Sequence, residues 1–498
     1  MKKISRILVL LFLTTFSLQS CEDNDDVAIS KDLQINNFIW RGLNEVYLWQ
    51  ADVPNLADNR FATKTDLNSF LKGYSEPENL FQDLLNKPKS KYPIGEAIDR
   101  FSWIVDDYTV LEQELNGITK NSGIDLGLGR QSTGSANLVG YVRYIIPNSD
   151  ASKKEIKRGD LFTSVNGIPL TESNYRSLLF NSDSDSYTLN LAEYNGSAFV
   201  LNGKSVSLTK TILEENPILI NKVISLEGHK IGYLMYNGFY AEYDNELNQA
   251  FGKLKTEGIT DLVLDLRYNG GGSVRSSIRL ASMITGQFPN DIFAKTQYNA
   301  KQTAKFSSKQ LESQNDRFVS TFDGNSVNSL KLNKIYIIAT ESTASASELI
   351  INGLKSYIEV IQVGETTLGK NVGSITVYDS ESFTKTKVNP THKYAMQPLV
   401  FKITNKDNFG DYTGGLEPTP TYQIQEYIDI YGILGEATGV LNDGSEPLLN
   451  LAVSRIIGSS TAKRIQTKKG QSLPYFTDSK SMRRFGKEMY IENPTTGF

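Results

Sequence analysis

Lys334-Ile335-Tyr336-Ile337-Ile338-Ala339, then Thr343-Ala344-Ser345-Ala346-Ser347-Glu348, then Gly364-Glu365-Thr366-Thr367-Leu368-Gly369-Lys370 are the stretches whose reading decides the fold and chemistry of this chain. The first is an unbroken apolar run and reads as a buried strand. Beyond Ser345, the residues Leu349, Ile350, Leu354, Tyr357 and Ile358 share one face at helical spacing. Ser345 is therefore expected at a strand-to-helix turn. The first N–H groups of such a helix have no intrahelical partners and carry the positive end of its dipole, so an oxyanion forming beside Ser345 would be stabilised. The same letters also spell Ser-x-x-Glu, a capping box in which Ser345 caps the helix and Glu348 reaches back to its N–H.

A serine hydroxyl is a weak nucleophile until a base takes its proton. The chain has two histidines, His229 in the hairpin-like Glu227-Gly228-His229-Lys230 and His392 in the polar loop Asn389-Pro390-Thr391-His392-Lys393. Neither has the apolar strand-end setting of a buried catalytic base. Lys370 is the remaining candidate, 25 residues after Ser345 and beyond a second buried-strand pattern, Val360-Ile361-Gln362-Val363-Gly364. To work near neutral pH its pKa must fall from about 10.4 towards 7, roughly 4 to 5 kcal/mol of differential stabilisation. That requires burial without a close carboxylate partner. A third apolar run, Leu262-Val263-Leu264, leads into Asp265-Leu266-Arg267-Tyr268-Asn269-Gly270-Gly271-Gly272 and a helical segment from Ser273 to Ala281. Glycines there let the backbone approach a substrate carbonyl and offer N–H donors. A phosphate-binding loop is the poorer reading, because neither Gly-x-Gly-x-x-Gly nor a following Gly-Lys-Ser/Thr is present.

Together these segments resemble the S41 family of serine endopeptidases, the carboxyl-terminal processing or tail-specific proteases. The family signature is a Ser-Ala-Ser-Ala-Ser-Glu-like segment with a nucleophilic middle serine, a Phe-Gly-Lys-Gly-like segment carrying the base, and a strand ending in Asp-Leu-Arg-x-Asn-x-Gly-Gly. The resemblance covers roughly residues 120 to 460. It implies a Ser345/Lys370 dyad, with one of Gly271 and Gly272 and the N–H of Ala346 as oxyanion donors. It also implies a ClpP/crotonase-like spiral of ββα units, which the alternating strands and helices from Ile231 onward favour. Gly414-Gly415-Leu416-Glu417-Pro418 matches the family's closing turn. The chain departs from the pattern at Ser374, where many members have a glutamine that orients the lysine, and at Asn371, where glycine is usual. Ser374, Thr367 or Glu348 could then orient Lys370, and Glu348 is favoured as a support beside the nucleophile.

The remaining segments suggest a multidomain α/β protein. Residues 1–20 form a targeting leader: Lys2, Lys3 and Arg6 precede the apolar run Ile7 to Leu13, too short to span a bilayer. It ends in Leu18-Gln19-Ser20-Cys21, which resembles a bacterial lipobox, so Cys21 is the expected lipidation site and the membrane is reached through a lipid anchor. Cys21 is the only cysteine, which excludes an intramolecular disulfide and a cysteine-built zinc site. Residues 21–30, with Glu22-Asp23-Asn24-Asp25-Asp26, read as an acidic tether, and 31–119 as a small helical domain. Over 120–215, Gly123 to Gly129, Tyr141 to Pro147 and Ile156 to Gly167 resemble a PDZ domain. Gly127-Leu128-Gly129 is its candidate loop for holding a peptide's C-terminal carboxylate through backbone N–H groups. Residues 216–460 form the expected catalytic domain. Residues 461–498 carry eight Lys/Arg against three Asp/Glu and read as a solvated basic tail.

A net charge of −4 argues against nucleic acid. The expected function is a lipid-anchored serine endopeptidase of the bacterial cell envelope, an outer-membrane lipoprotein facing the periplasm or the cell surface. Its partners are protein or peptide substrates, with no cofactor and no metal. The first rival is a PDZ-bearing lipoprotein that captures peptides on the same scaffold without cutting them. A Ser-His-Asp esterase is disfavoured because Ser345 lacks the flanking glycines of a nucleophile elbow.

Overall fold

The computed structural model describes residues 33–93, 95–180, 184–426, 432–440, 445–458 and 474–492. The leader, Cys21 and the acidic tether lie outside the described residues. Among the described residues, one compact unit takes in Leu33–Glu45 together with Trp49–Ile98; the other takes in Val46–Leu48 and those from Asp99 onward.

The first unit is helical. The helix Gln34–Val46 buries Phe38, Ile39 and Leu43, which recur on one face, and Asn36 Nδ2 donates to the carbonyls of Leu71 and Tyr74 at 3.1 and 3.0 Å. Thr63 and Asp66 form a capping box that starts the helix Lys64–Leu71. The unit ends at Ile98, short of the expected 119, because Trp103–Val105 turns to strand and pairs with Ala395–Gln397 of the second unit.

In the second unit, β1 (Ile124–Arg130), β2 (Leu138–Ile145), β3 (Leu161–Val165), β4 (Ser186–Tyr194) and β5 (Phe199–Thr209) form an antiparallel sheet in that order. Its inward residues, among them Leu126, Leu128, Val142, Phe162 and Leu189, make a separate core. Gly127, Leu128 and Gly129 are interior to β1 and form no loop, which corrects the expected carboxylate-binding turn. The chain is extended there, and a Cβ on Gly127 would fall 2.2 Å from the Tyr141 ring.

The hairpin β6 (Ile218–Leu226) and β7 (His229–Tyr236) opens the larger layer; α1 (Asp244–Glu257) returns the chain to β8 (Asp261–Asp265). Then follow β9 (Gly272–Ser273), α2 (Val274–Ile284), β10 (Lys334–Ala339), α3 (Ala346–Lys355) and β11 (Glu359–Gly364). Strands β7, β8, β10 and β11 are parallel, in the sheet order β6-β7-β8-β10-β11. Such a sheet is buried on both faces, which is why Ile335, Ile337 and Ile338 form a continuous apolar run. A second sheet contains β12 (Val372–Ser374) and β13 (Leu399–Asn405). From the C-terminus come β14 (Tyr475–Asp478), which pairs antiparallel with the free edge of β1, and β15 (Met489–Tyr490), which sits between β9 and β12 and parallel to both. Residues 474–492 are thus an integral part of the fold. Lys480 and Glu488 are buried, which corrects the reading of this stretch as a solvated tail.

Candidate active site

Ser345 stands at the turn between β10 and α3, where φ is 66° and ψ is −118°, a conformation that strains a residue with a side chain. The surrounding hydrogen bonds over-determine that turn. Thr343 Oγ1 donates to Leu266 O at 2.8 Å, Ala344 N to Asn269 O at 3.1 Å, and Ser347 Oγ also to Asn269 O at 3.1 Å. Asn269 is held in turn by its amide on Tyr236 O at 2.8 Å. Ser345 and Glu348 are placed as a capping box, in which Glu348 accepts from the Ser345 N–H at 2.7 Å while Ser345 Oγ is buried and makes no hydrogen bond. A hydroxyl spared from helix capping is free for chemistry.

Glu348 joins this turn to the loop bearing Lys370. Its carboxylate accepts from Lys370 N at 2.8 Å, Gly369 N at 2.7 Å and the Thr367 hydroxyl, as well as from Ser345 N. Burial pushes its pKa up, and these hydrogen bonds pull it back down. Among the expected orienting groups, Glu348 and Thr367 therefore fix the backbone around Lys370, and these hydrogen bonds join them to backbone groups and to each other, not to its ammonium. The loop is closed from outside by Leu416 N on Thr367 Oγ1 at 2.8 Å, in the late Gly414-Gly415-Leu416 turn, and by Arg100 on Gly369 O at 2.5 Å.

Lys370 is fully buried, with its ammonium 4.6 Å from the centre of the Phe101 ring. Desolvation lowers its pKa, and the Glu488 carboxylate opposes that shift. This corrects the expectation of a lysine without a carboxylate partner: Nζ donates to Glu488 Oε2 at 3.1 Å and to Lys487 O at 2.7 Å. Ser374, where a glutamine was expected, donates from its hydroxyl to Glu488 Oε2 at 3.1 Å and accepts from Gln397 Nε2 at 3.0 Å. Neither Glu488 nor Gln397 was visible as a site residue in the sequence, since no motif links positions so far apart.

The glycine turn lies against the nucleophile. A Cβ on Gly271, whose φ is 111°, would stand 2.9 Å from Ser345 Oγ. Of the expected oxyanion donors, Gly271 N–H is engaged by Asn269 Oδ1 at 2.9 Å, which removes it from the set. Gly272 N–H donates to the carbonyl oxygen of Glu488 at 2.6 Å. Ala346 opens α3, so its N–H has no acceptor within the helix. Arg267 of the same turn is a buried strut, its guanidinium bound to Asp265 at 2.7 Å and to both carboxylate oxygens of Glu446 at 2.6 and 2.9 Å. Of the histidines, His229 faces Asp261 at 3.4 Å and His392 faces Asp379 at 3.0 Å.

Residues 230–394 match the family described as Peptidase family S41, and residues 34–103 match the Peptidase S41 N-terminal domain. The chloroplastic C-terminal processing peptidase of Tetradesmus obliquus is 24% identical over 237 residues, covering 45% of this chain and 47% of that protein. A carboxyl-terminal-processing protease of Picosynechococcus sp. is 25% identical over 305 residues, covering 58% of this chain and 66% of that protein. The chain thus spans between about half and two thirds of the length of these relatives. A putative S41 protease from Bacteroides fragilis shares the fold with a TM-score of 0.61 at 24% identity, over 84% of this chain and 97% of that one.

Proposed function

From a chain that carries the S41 peptidase domain and its N-terminal companion domain, and that is homologous to carboxyl-terminal-processing proteases, we propose a serine endopeptidase with Ser345 as nucleophile and Lys370 as base. The observation that carries this reading is the pairing of an unpartnered, buried serine hydroxyl with a desolvated lysine on a loop that the same carboxylate, Glu348, binds to the serine turn.

In the proposed reaction the neutral Nζ of Lys370 takes the proton of Ser345 Oγ as that oxygen bonds to the substrate carbonyl carbon. The carbonyl oxygen becomes an oxyanion facing the N–H of Ala346 and that of Gly272, which the substrate oxygen takes over from the carbonyl of Glu488. The lysine then returns the proton to the departing amine. A water, deprotonated by the same lysine, releases the acyl group and restores Ser345. The region 120–215 is proposed as a PDZ-like element that guides peptide chains towards the cleft, and Cys21 as the lipid anchor that holds the enzyme in the cell envelope. The test uses the soluble fragment Glu22 to Phe498 with an unfolded protein: wild type releases fragments and Ser345→Ala releases none while keeping the same circular dichroism. Equal cutting by the two would sink the assignment.

A further inference from the structure

The C-terminal segment crosses the centre just described, and the inference that follows rests on the assignment of Ser345 and Lys370. Its path begins on the antiparallel sheet, where β14 adds to β1 with Asp478 opposite Gly127 and Tyr475 opposite Gly129. That is how an extended peptide augments a sheet edge. The segment next reaches the loop before the nucleophile, where Ser342 Oγ donates to Asp478 at 2.7 Å and Arg143 lies 3.3 Å from the same carboxylate. It then runs along the glycine turn. A Cβ on Gly270 would stand 1.9 Å from Gly486 O, which shows how closely the two backbones lie.

At the centre, two consecutive carbonyls are bound by the two groups the chemistry needs. Lys487 O accepts from Lys370 Nζ at 2.7 Å, and Glu488 O accepts from Gly272 N–H at 2.6 Å. Glu488 O and Ser345 Oγ lie 2.4 and 2.9 Å from one point, the position a Cβ on Gly271 would take, so the tail backbone lies beside the nucleophile. The Glu488 side chain adds an anion at 3.1 Å from the ammonium. Beyond it β15 fills the strand position between β9 and β12. The void left beside Gly270 to Gly272 is about 30 Å³, room for a water or two and far below the several hundred Å³ of a ligand site.

We propose that residues 485–490 are an intramolecular competitor: they occupy the channel in which an extended substrate strand is seated between β9 and β12, and a protein substrate gains Ser345 by displacing them. The occupant is a strand of only two residues, so displacing it breaks few ladder hydrogen bonds, and the substrate strand that replaces it has to cover the core that Phe485, Met489 and Tyr490 now fill, while β14 stays paired with β1. Glu488 gives the competitor a second effect, since an anion beside Lys370 favours the charged lysine, which cannot accept the serine proton.

The experiment places a site-specific protease site between Gly458 and Pro474 of the soluble fragment and compares cut and uncut protein. Readouts are the rate at which a fluorophosphonate labels Ser345 and the hydrolysis of a denatured protein. Cutting and removing the tail should raise both rates about tenfold or more, and a synthetic peptide spanning Pro474 to Glu492 should reverse the gain. In the uncut chain, Glu488→Gln should move the alkaline limb of hydrolysis down by about one pH unit, which is about tenfold more neutral lysine at pH 7. If the cut protein and Glu488→Gln both lose activity while remaining folded, the tail is part of the machinery and Glu488 positions the lysine, which overturns the proposal. Equal labelling of cut and uncut protein also overturns it. Absence of labelling in every form would instead refute the Ser345/Lys370 reading beneath it.

Discussion

Glu348→Ala and Glu348→Gln should differ sharply, and the structure says by how much. The carboxylate accepts from three buried backbone N–H groups, those of Ser345, Gly369 and Lys370, and from the Thr367 hydroxyl. Each buried backbone N–H left without a partner costs about 1 to 3 kcal/mol, so alanine forfeits roughly 3 to 9 kcal/mol on those three alone. That approaches the whole stability of a typical domain, about 5 to 15 kcal/mol. Glutamine can place its carbonyl oxygen towards Ser345 and Lys370 and its NH₂ towards Thr367, whose hydroxyl can turn to accept. Only Gly369 N–H is then orphaned, about 1 to 3 kcal/mol, and the neutral amide avoids the burial that pushes the Glu348 pKa up. Urea unfolding followed by circular dichroism, with Ser345 labelling as the local probe, reads both variants. Alanine should fail to fold or unfold at far lower urea, whereas glutamine should stay folded. Because a misplacement of about 1 Å at the reacting centre costs about 10²-fold in rate, glutamine should still lose most hydrolysis. Equal unfolding midpoints for the two variants would refute the idea that this carboxylate ties the serine turn to the lysine loop.

Hydrolysis should rise with pH along one limb whose midpoint lies below the 10.5 of a free lysine, since desolvation of Lys370 favours its neutral form; a midpoint at the free-lysine value would move the base elsewhere. Gly271→Ala should abolish Ser345 labelling, because the new Cβ would stand 2.9 Å from Ser345 Oγ and 2.4 Å from Glu488 O at a φ of 111°; labelling at the wild-type rate would show that the turn can move aside. Glu365 borders a cavity of about 230 Å³ shared with Arg143, Ser342 and Tyr475, and burial with the carboxylates of Glu426 and Glu341 pushes its pKa up from 4.5 to about 8. The folded state therefore keeps a proton that the unfolded chain releases, so this group makes stability fall as pH rises between those two values. Glu365→Gln should leave the melting temperature unchanged near pH 4 and raise it near pH 8.5; parallel melting profiles for the two proteins would contradict this.

The local architecture was legible because its causes are local. The apolar run before Ser345, the helical spacing after it and the Ser-x-x-Glu pattern each lie within a few residues, and they become β10, the strained turn and α3. The apolar run ending at Asp265 and the glycines after Asn269 likewise become a strand and a tight turn against the serine. Gly127-Leu128-Gly129 misled for the same reason. Two glycines suggest a turn, yet the position of the Tyr141 ring and the strands on both sides decide that they serve close packing inside β1.

By itself, the sequence determined how the chain turns around Ser345 and around the glycines after Asn269. Only the tertiary structure decided the site's electrostatic company. Glu488 stands 118 residues from Lys370 and Asp478 stands 136 from Ser342, and no periodicity or spacing rule records contacts at that range. A hydrogen bond or an ion pair depends on distance in space, so whether a buried lysine is left alone or given a carboxylate, and whether a glycine N–H is open or holds a carbonyl, is settled when the last strand enters between β9 and β12.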